Sequence, residues 1–174
     1  MRCVLMQIQD DTDSFKFFPY PSDGKENKGG FDLIKNPEKI DEITEFKKFP
    51  ELRRLIEFLN FESKRYRSFG CDGGIVDSAF TGYIEFAFRE SEQAKQFELY
   101  RELIDGFERY LIDTHTPEET IAICNSLKFE KAEIYLEGIY FGNKLSLFFL
   151  AHSQVEAARF LDAFFGYLRK IEFP

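Results

Sequence analysis

Twenty-two phenylalanines and no tryptophan constrain this chain more than any motif it carries. With eight tyrosines beside them, the interior must be built from phenyl rings. Such rings pack edge-to-face or offset, because their quadrupoles disfavour a face-to-face sandwich. At 174 residues the chain suits one domain spanning 1–174. A domain of that size buries roughly two-thirds of its unfolded surface and requires no disulfide or metal staple.

The charge balance narrows the partners. A net charge of −8 repels nucleic acid, whose binding depends on phosphate neutralisation by lysine and arginine, and attracts a basic protein. Cys3, Cys71 and Cys124 form neither a disulfide framework nor a CxxC pair, which points to a reducing, cytoplasmic setting. Residues 1–8 hold too short an apolar run for a signal peptide. No stretch approaches the roughly 18 apolar residues of a membrane span, so no membrane partner is expected.

Patterning predicts an α+β fold with one mainly antiparallel sheet and helices packed on one face. Val4, Met6 and Ile8 alternate as a first strand, and 15–18 reads as a short second strand pairing back on it. Residues 19–30, rich in Pro, Gly and polar side chains, read as a surface loop within the domain. Pro37 and Pro50 open helical stretches, the second with Leu52, Leu55, Ile56 and Leu59 as its core stripe. GCDGG at 70–74 reads as a turn, followed by a strand at 83–89 that buries Ile84, Phe86 and Phe88.

Ser91 is expected to cap the longest helix, running to about Leu111. Thr116-Pro117-Glu118-Glu119 is a capping box that starts a short helix. A hairpin over 132–151 is expected to turn at Gly142-Asn143. A second capping box at Ser153–Glu156 opens the terminal helix, with Val155, Ala158, Leu161, Phe164, Phe165 and Leu168 inward.

Catalytic signatures are sparse. Cys71, among glycines and after Lys64, Arg65 and Arg67, is the one candidate nucleophile, since neighbouring cations stabilise a thiolate. Its base would have to be His115 or His152, and the alternative function is therefore a cysteine-dependent hydrolase or transferase centred on Cys71. Three scattered cysteines and two histidines at no ligand spacing predict no metal site. Asp10–Ser14 fails the EF-hand pattern because Phe15 stands where an oxygen ligand is needed. No dinucleotide, phosphate-loop or hydrolase signature occurs, so no cofactor and no catalytic residue is assigned.

The strands' outer faces carry the remaining signal. If Ile84, Phe86 and Phe88 point inward, Tyr83 and Glu85 point outward; burying Ile134 and Leu136 likewise turns Glu133, Tyr135 and Glu137 outward. On neighbouring strands these five would form one acidic, aromatic face for a basic partner; the competing account is a plain solvated sheet. The acidic stretch Glu38, Asp41, Glu42 and Glu45 reads as the wet side of its helix. The function expected is a non-enzymatic inhibitor of immunity or antitoxin type, masking a basic toxin such as a nuclease in a 1:1 complex.

Overall fold

Two period-two segments close into hairpins through two-residue turns and form the middle of the sheet. Asp77 and Ser78 (φ 49° and 67°) join β3 (Tyr66–Val76) to β4 (Ala79–Phe88). Glu137 and Gly138 (φ 52° and 82°) join β5 (Leu127–Leu136) to β6 (Ile139–Ala151). Left-handed backbone at both positions gives the turn whose twist matches that of paired strands. The computed structural model describes residues 6–11, 15–22, 24 and 29–174. Among them the strand order is β1-β5-β6-β4-β3, with β1 (Ile8–Asp10) and β2 (Phe15–Phe18) both pairing with β5 in parallel. The other pairs are antiparallel. The short second strand thus lies on β5 and not on the first. Residues 1–5 of the expected first strand and 12–14 of the turn after it fall outside the described residues.

Helices cover one face, giving the expected α+β architecture. They are α1 (Pro50–Glu57), α2 (Ser91–Ala94), α3 (Phe97–Thr114), α4 (Pro117–Ser126) and α5 (Gln154–Glu172). The phenyl-ring core is real. Phe164 of α5 meets Phe86, Phe107 and Phe129 with centroids 5.6, 5.1 and 5.9 Å away, and Phe88 meets Tyr100 edge-on at 4.9 Å. Among the described residues no helix is long and apolar enough to cross a membrane.

Four local expectations are corrected. GCDGG is not a turn but the middle of β3. Gly73 and Gly70 stand where a side chain would crowd, since a Cβ at Gly73 would lie 2.8 Å from the Phe49 ring and one at Gly70 would lie 2.9 Å from a Glu85 carboxylate oxygen. Gly142-Asn143 is likewise inside a strand, where it seats α2. A Cβ at Gly142 would come within 2.6 Å of the Ala94 carbonyl carbon, and the Asn143 amide donates to the Ala94 carbonyl at 3.1 Å. Ser91 caps nothing; its hydroxyl donates to the Phe141 carbonyl (2.6 Å), and the long helix starts afresh at Phe97. In α5 the buried stripe is Ala157, Phe160, Leu161, Phe164, Tyr167 and Leu168, so Val155 is 71% exposed.

The capping box at Thr116 holds, whereas at Ser153 only the hydroxyl arm of the expected box forms. Thr116 accepts from the Glu119 amide while Glu119 accepts from the Thr116 amide. At Ser153 the hydroxyl accepts from the Glu156 amide, and Glu156 reaches one residue further back, to the His152 amide at 2.6 Å. Both satisfy amides that the first helical turn leaves without partners.

Candidate functional site

Pleating decides where the five sequence-derived surface residues go. β6 runs between β4 and β5, so the two strands are not neighbours. Glu85 is in register with Ser146, which faces Glu130; Glu133 is in register with Asn143, which shares its side with Leu145 and Leu147. Tyr83 and Glu85 therefore lie on the sheet's second face, while Glu133 and Tyr135 lie on the helix-bearing one. Tyr135 packs against Tyr140 at 5.3 Å. Glu137 occupies the hairpin turn and accepts from the Lys35 ammonium at 2.6 Å. No single face holds all five, and Glu85 is not outward at all, being only 5% exposed.

What covers Glu85 is the segment read as a surface loop. Its described part is folded down over the second face, and its remaining residues, 23 and 25–28, lie outside the described set. The Tyr20 hydroxyl donates to Glu85 Oε2 at 2.8 Å, and the fully buried Lys144 ammonium donates to Glu85 Oε1. Burial pulls the Lys144 ammonium below its usual pKa against the opposing attraction of Glu85, and burial followed by Glu85 pushes the Tyr20 phenol up. A second buried pair anchors the segment further along. Arg67 donates to Asp32 Oδ1 at 2.9 Å, and its guanidinium stands over the rings of Phe69, Phe141 and Phe18 at 5.1, 5.7 and 6.0 Å. The described residues of 18–35 thus form a strap held by the Tyr20–Glu85 hydrogen bond, the Asp32–Arg67 ion pair and the ring contacts of Phe18 with Tyr20 and Phe69.

Where the strap meets the 3-10 turns Pro37–Glu42 and Thr44–Lys47, it leaves a cavity of about 430 Å³ against β3 and β4. Its lining includes the acidic residues Glu42, Glu45 and Asp72, the hydroxyl residues Thr44 and Ser68, and the aromatic residues Tyr20, Phe31, Phe69 and Tyr83. Among the described residues no lysine, arginine or histidine lines it. Glu42 pairs with Lys39 on its outer side at 2.6 Å. Glu45 and Asp72 have no cationic partner among the described residues; Asp72 accepts only from the Gly73 amide at 2.7 Å. A hollow lined by acidic and aromatic residues, and lacking cations, suits a positively charged group.

Cys71 opens into the same cavity. Burial first, then Glu45, Asp72 and Glu85, push its thiol up to about 12, the opposite of what a nucleophile needs. The same influences push the Tyr83 phenol up. Neither histidine lines the cavity: His115 packs on Tyr110 at 6.2 Å, and His152 sits at the start of α5. Lys64, Arg65 and Arg67, which were to activate the thiol, are engaged elsewhere. The Arg65 guanidinium donates to the Ile171 carbonyl and Arg67 to Asp32, while Lys64 is fixed through its backbone amide, which donates to Glu172, and does not line the cavity.

Sequence reasoning named Glu42, Glu45 and Cys71 without uniting them, and missed Tyr20 and Asp72 as partners of Tyr83. The acidic turns, the strap and β3 meet only in three dimensions. Compared with family models, curated proteins and solved structures, the chain matches none.

Proposed function

We propose that this protein is a stoichiometric binder of a basic protein, most concretely a cytoplasmic inhibitor that neutralises a toxin such as a nuclease in a 1:1 complex. One observation carries the reading: a 430 Å³ hollow whose lining includes three acidic and four aromatic residues, with no cation among its described lining residues, in a chain of net charge −8. An arginine or lysine of the partner enters it, paired with Glu45 and Asp72 and stacked on Tyr20 or Tyr83. Cation–π contacts contribute about 0.5–1 kcal/mol at exposed sites and more as the cation is buried. The overall negative field steers the partner in and raises the on-rate. A catalytic role for Cys71 is the weaker reading, because burial and the carboxylates around it push the thiol up to about 12 and neither histidine lines the cavity.

The test compares two baits in lysate of the native host, the wild type and a Glu42→Gln, Glu45→Gln, Asp72→Asn variant. The reading expects one basic protein at 1:1 with the wild type, lost with the variant and at high salt. Equal recovery of that protein by both baits contradicts the cleft as its receptor.

A further inference from the structure

The strap covers only half of the second face. Beyond it, Val76, Thr81, Tyr83, Phe148 and Leu150 follow one another on the side away from the helices, and Val76 and Leu150 are 58% and 52% exposed. Beside Val76, Tyr83 and Phe148 runs a shallow groove of about 250 Å³. One wall is the tilted pair Tyr83–Phe148, with centroids 5.7 Å apart. The floor includes Gly74, where a Cβ would meet nothing within 4 Å, so the hollow exists because a side chain is missing there. Asp72 is the one charged residue among the groove's described lining residues. Lys128, in register with Phe148, is held by Glu130 at 2.5 Å.

The groove and the acidic cavity are continuous, since Asp72 and Tyr83 line both. They follow β3 in sequence, Ser68 to Asp72 beside the cavity and Asp72 to Val76 beside the groove. Their chemistry changes at that shared point from acidic and aromatic to apolar and aromatic. Resting on the reading just proposed, we infer that the partner's bound element is an extended segment with an arginine or lysine followed two positions later by a large apolar residue. The cation fills the acidic cavity and the apolar side chain lies on Gly74 between Val76, Tyr83 and Phe148. An extended chain rises about 3.3 Å per residue and turns alternate side chains the same way, so positions i and i+2 reach adjoining hollows. Charge complementarity fixes which end of the segment lies in which hollow.

The probes are blocked peptides Gly-Arg-Gly-Leu-Gly, Gly-Arg-Gly-Ser-Gly and Gly-Ser-Gly-Leu-Gly, titrated into the full chain and followed by amide chemical shifts. The Arg/Leu peptide is expected to bind about tenfold tighter than Arg/Ser, as burial of one leucine implies. Its shifts should span Glu45, Asp72, Gly74 and Phe148. At Gly74 a Cβ meets nothing within 4 Å and the φ lies outside the left-handed region, so Gly74→Leu places its side chain in the groove; it should erase the leucine advantage and keep the arginine dependence. Arg/Leu and Arg/Ser binding equally well, with shifts confined to the cavity, overturns this inference and leaves the cation-binding reading standing. Leu-dependent binding without arginine dependence, or no binding of either arginine peptide, overturns both. A wild type that proves dimeric in solution, and becomes monomeric in Leu150→Lys, gives the groove to a second copy and also overturns it.

Discussion

The ammonium of Lys144 is buried against the carboxylate of Glu85, whose other oxygen accepts from the Tyr20 hydroxyl. An ion pair out of water holds only while both partners remain, because either charge alone is strongly disfavoured in the interior. Lys144→Met, which strands the Glu85 charge, should destabilise the fold by about 3–5 kcal/mol in urea unfolding. Lys144→Met with Glu85→Gln removes both charges and should recover most of that loss. A double variant no more stable than the single one would contradict the pairing.

Three of the four glycines of the β3–β4 pair should differ sharply. A Cβ at Gly82 would lie 2.4 Å from the Asp72 carbonyl oxygen and 2.5 Å from the Phe149 ring, and one at Gly73 would lie 2.8 Å from Phe49. Gly82→Ala and Gly73→Ala should each cost about 1–3 kcal/mol through overpacking. Gly74→Ala, with open space above it, should stay within about 0.5 kcal/mol of wild type. Thermal melts of the three variants check this. Equal effects would return GCDGG to the turn its sequence suggests.

That contrast shows where the sequence was legible. The strand at 83–89, the α1 stripe and the caps at Thr116 and Ser153 are written within single segments, through period and cap chemistry. Glu133 is exposed and Ile134 buried as expected, but each on the face opposite to the one assumed. Period two gives relative sides only, however, so nothing local revealed that Ile134 and Phe86 face opposite ways. The glycines of β3 answer to Phe49 and Glu85, and Glu85 answers to Lys144, 59 residues on. These fates are settled by partners that no local pattern announces. The acidic cavity has the same character, since Tyr20, Glu45 and Asp72 are brought together by the strap and the sheet register.

Cys71 should behave as a buried thiol. Its folded pKa, raised to about 12 from 9.0, means the folded state keeps a proton that the unfolded state sheds. Its contribution to stability is therefore complete below about pH 9 and is lost as pH rises from there toward 12. In a Cys3→Ser, Cys124→Ser background, the iodoacetamide rate should keep rising tenfold per pH unit through pH 10. A plateau near neutral pH would show an activated thiolate and favour the enzymatic reading.

The helix caps supply a local control. Thr116→Ala removes the acceptor for the Glu119 amide and should cost about 1 kcal/mol in urea unfolding. Because α4 is distant from the cavity walls, binding of a cationic probe should be unchanged. A loss of binding with intact folding would mean the site has been misplaced.

The central claim is that the cavity beneath the strap accepts a positive charge. The most direct measurement is an amide chemical-shift titration of the full chain with N-acetyl-argininamide, set against N-acetyl-glutaminamide and repeated in Glu45→Gln, Asp72→Asn. The account predicts saturable shifts at Glu45, Cys71, Asp72 and Tyr83 with the arginine compound alone, weakened by salt and lost in the variant. Identical shifts with the neutral compound, or arginine-induced shifts that bypass these residues, would contradict it.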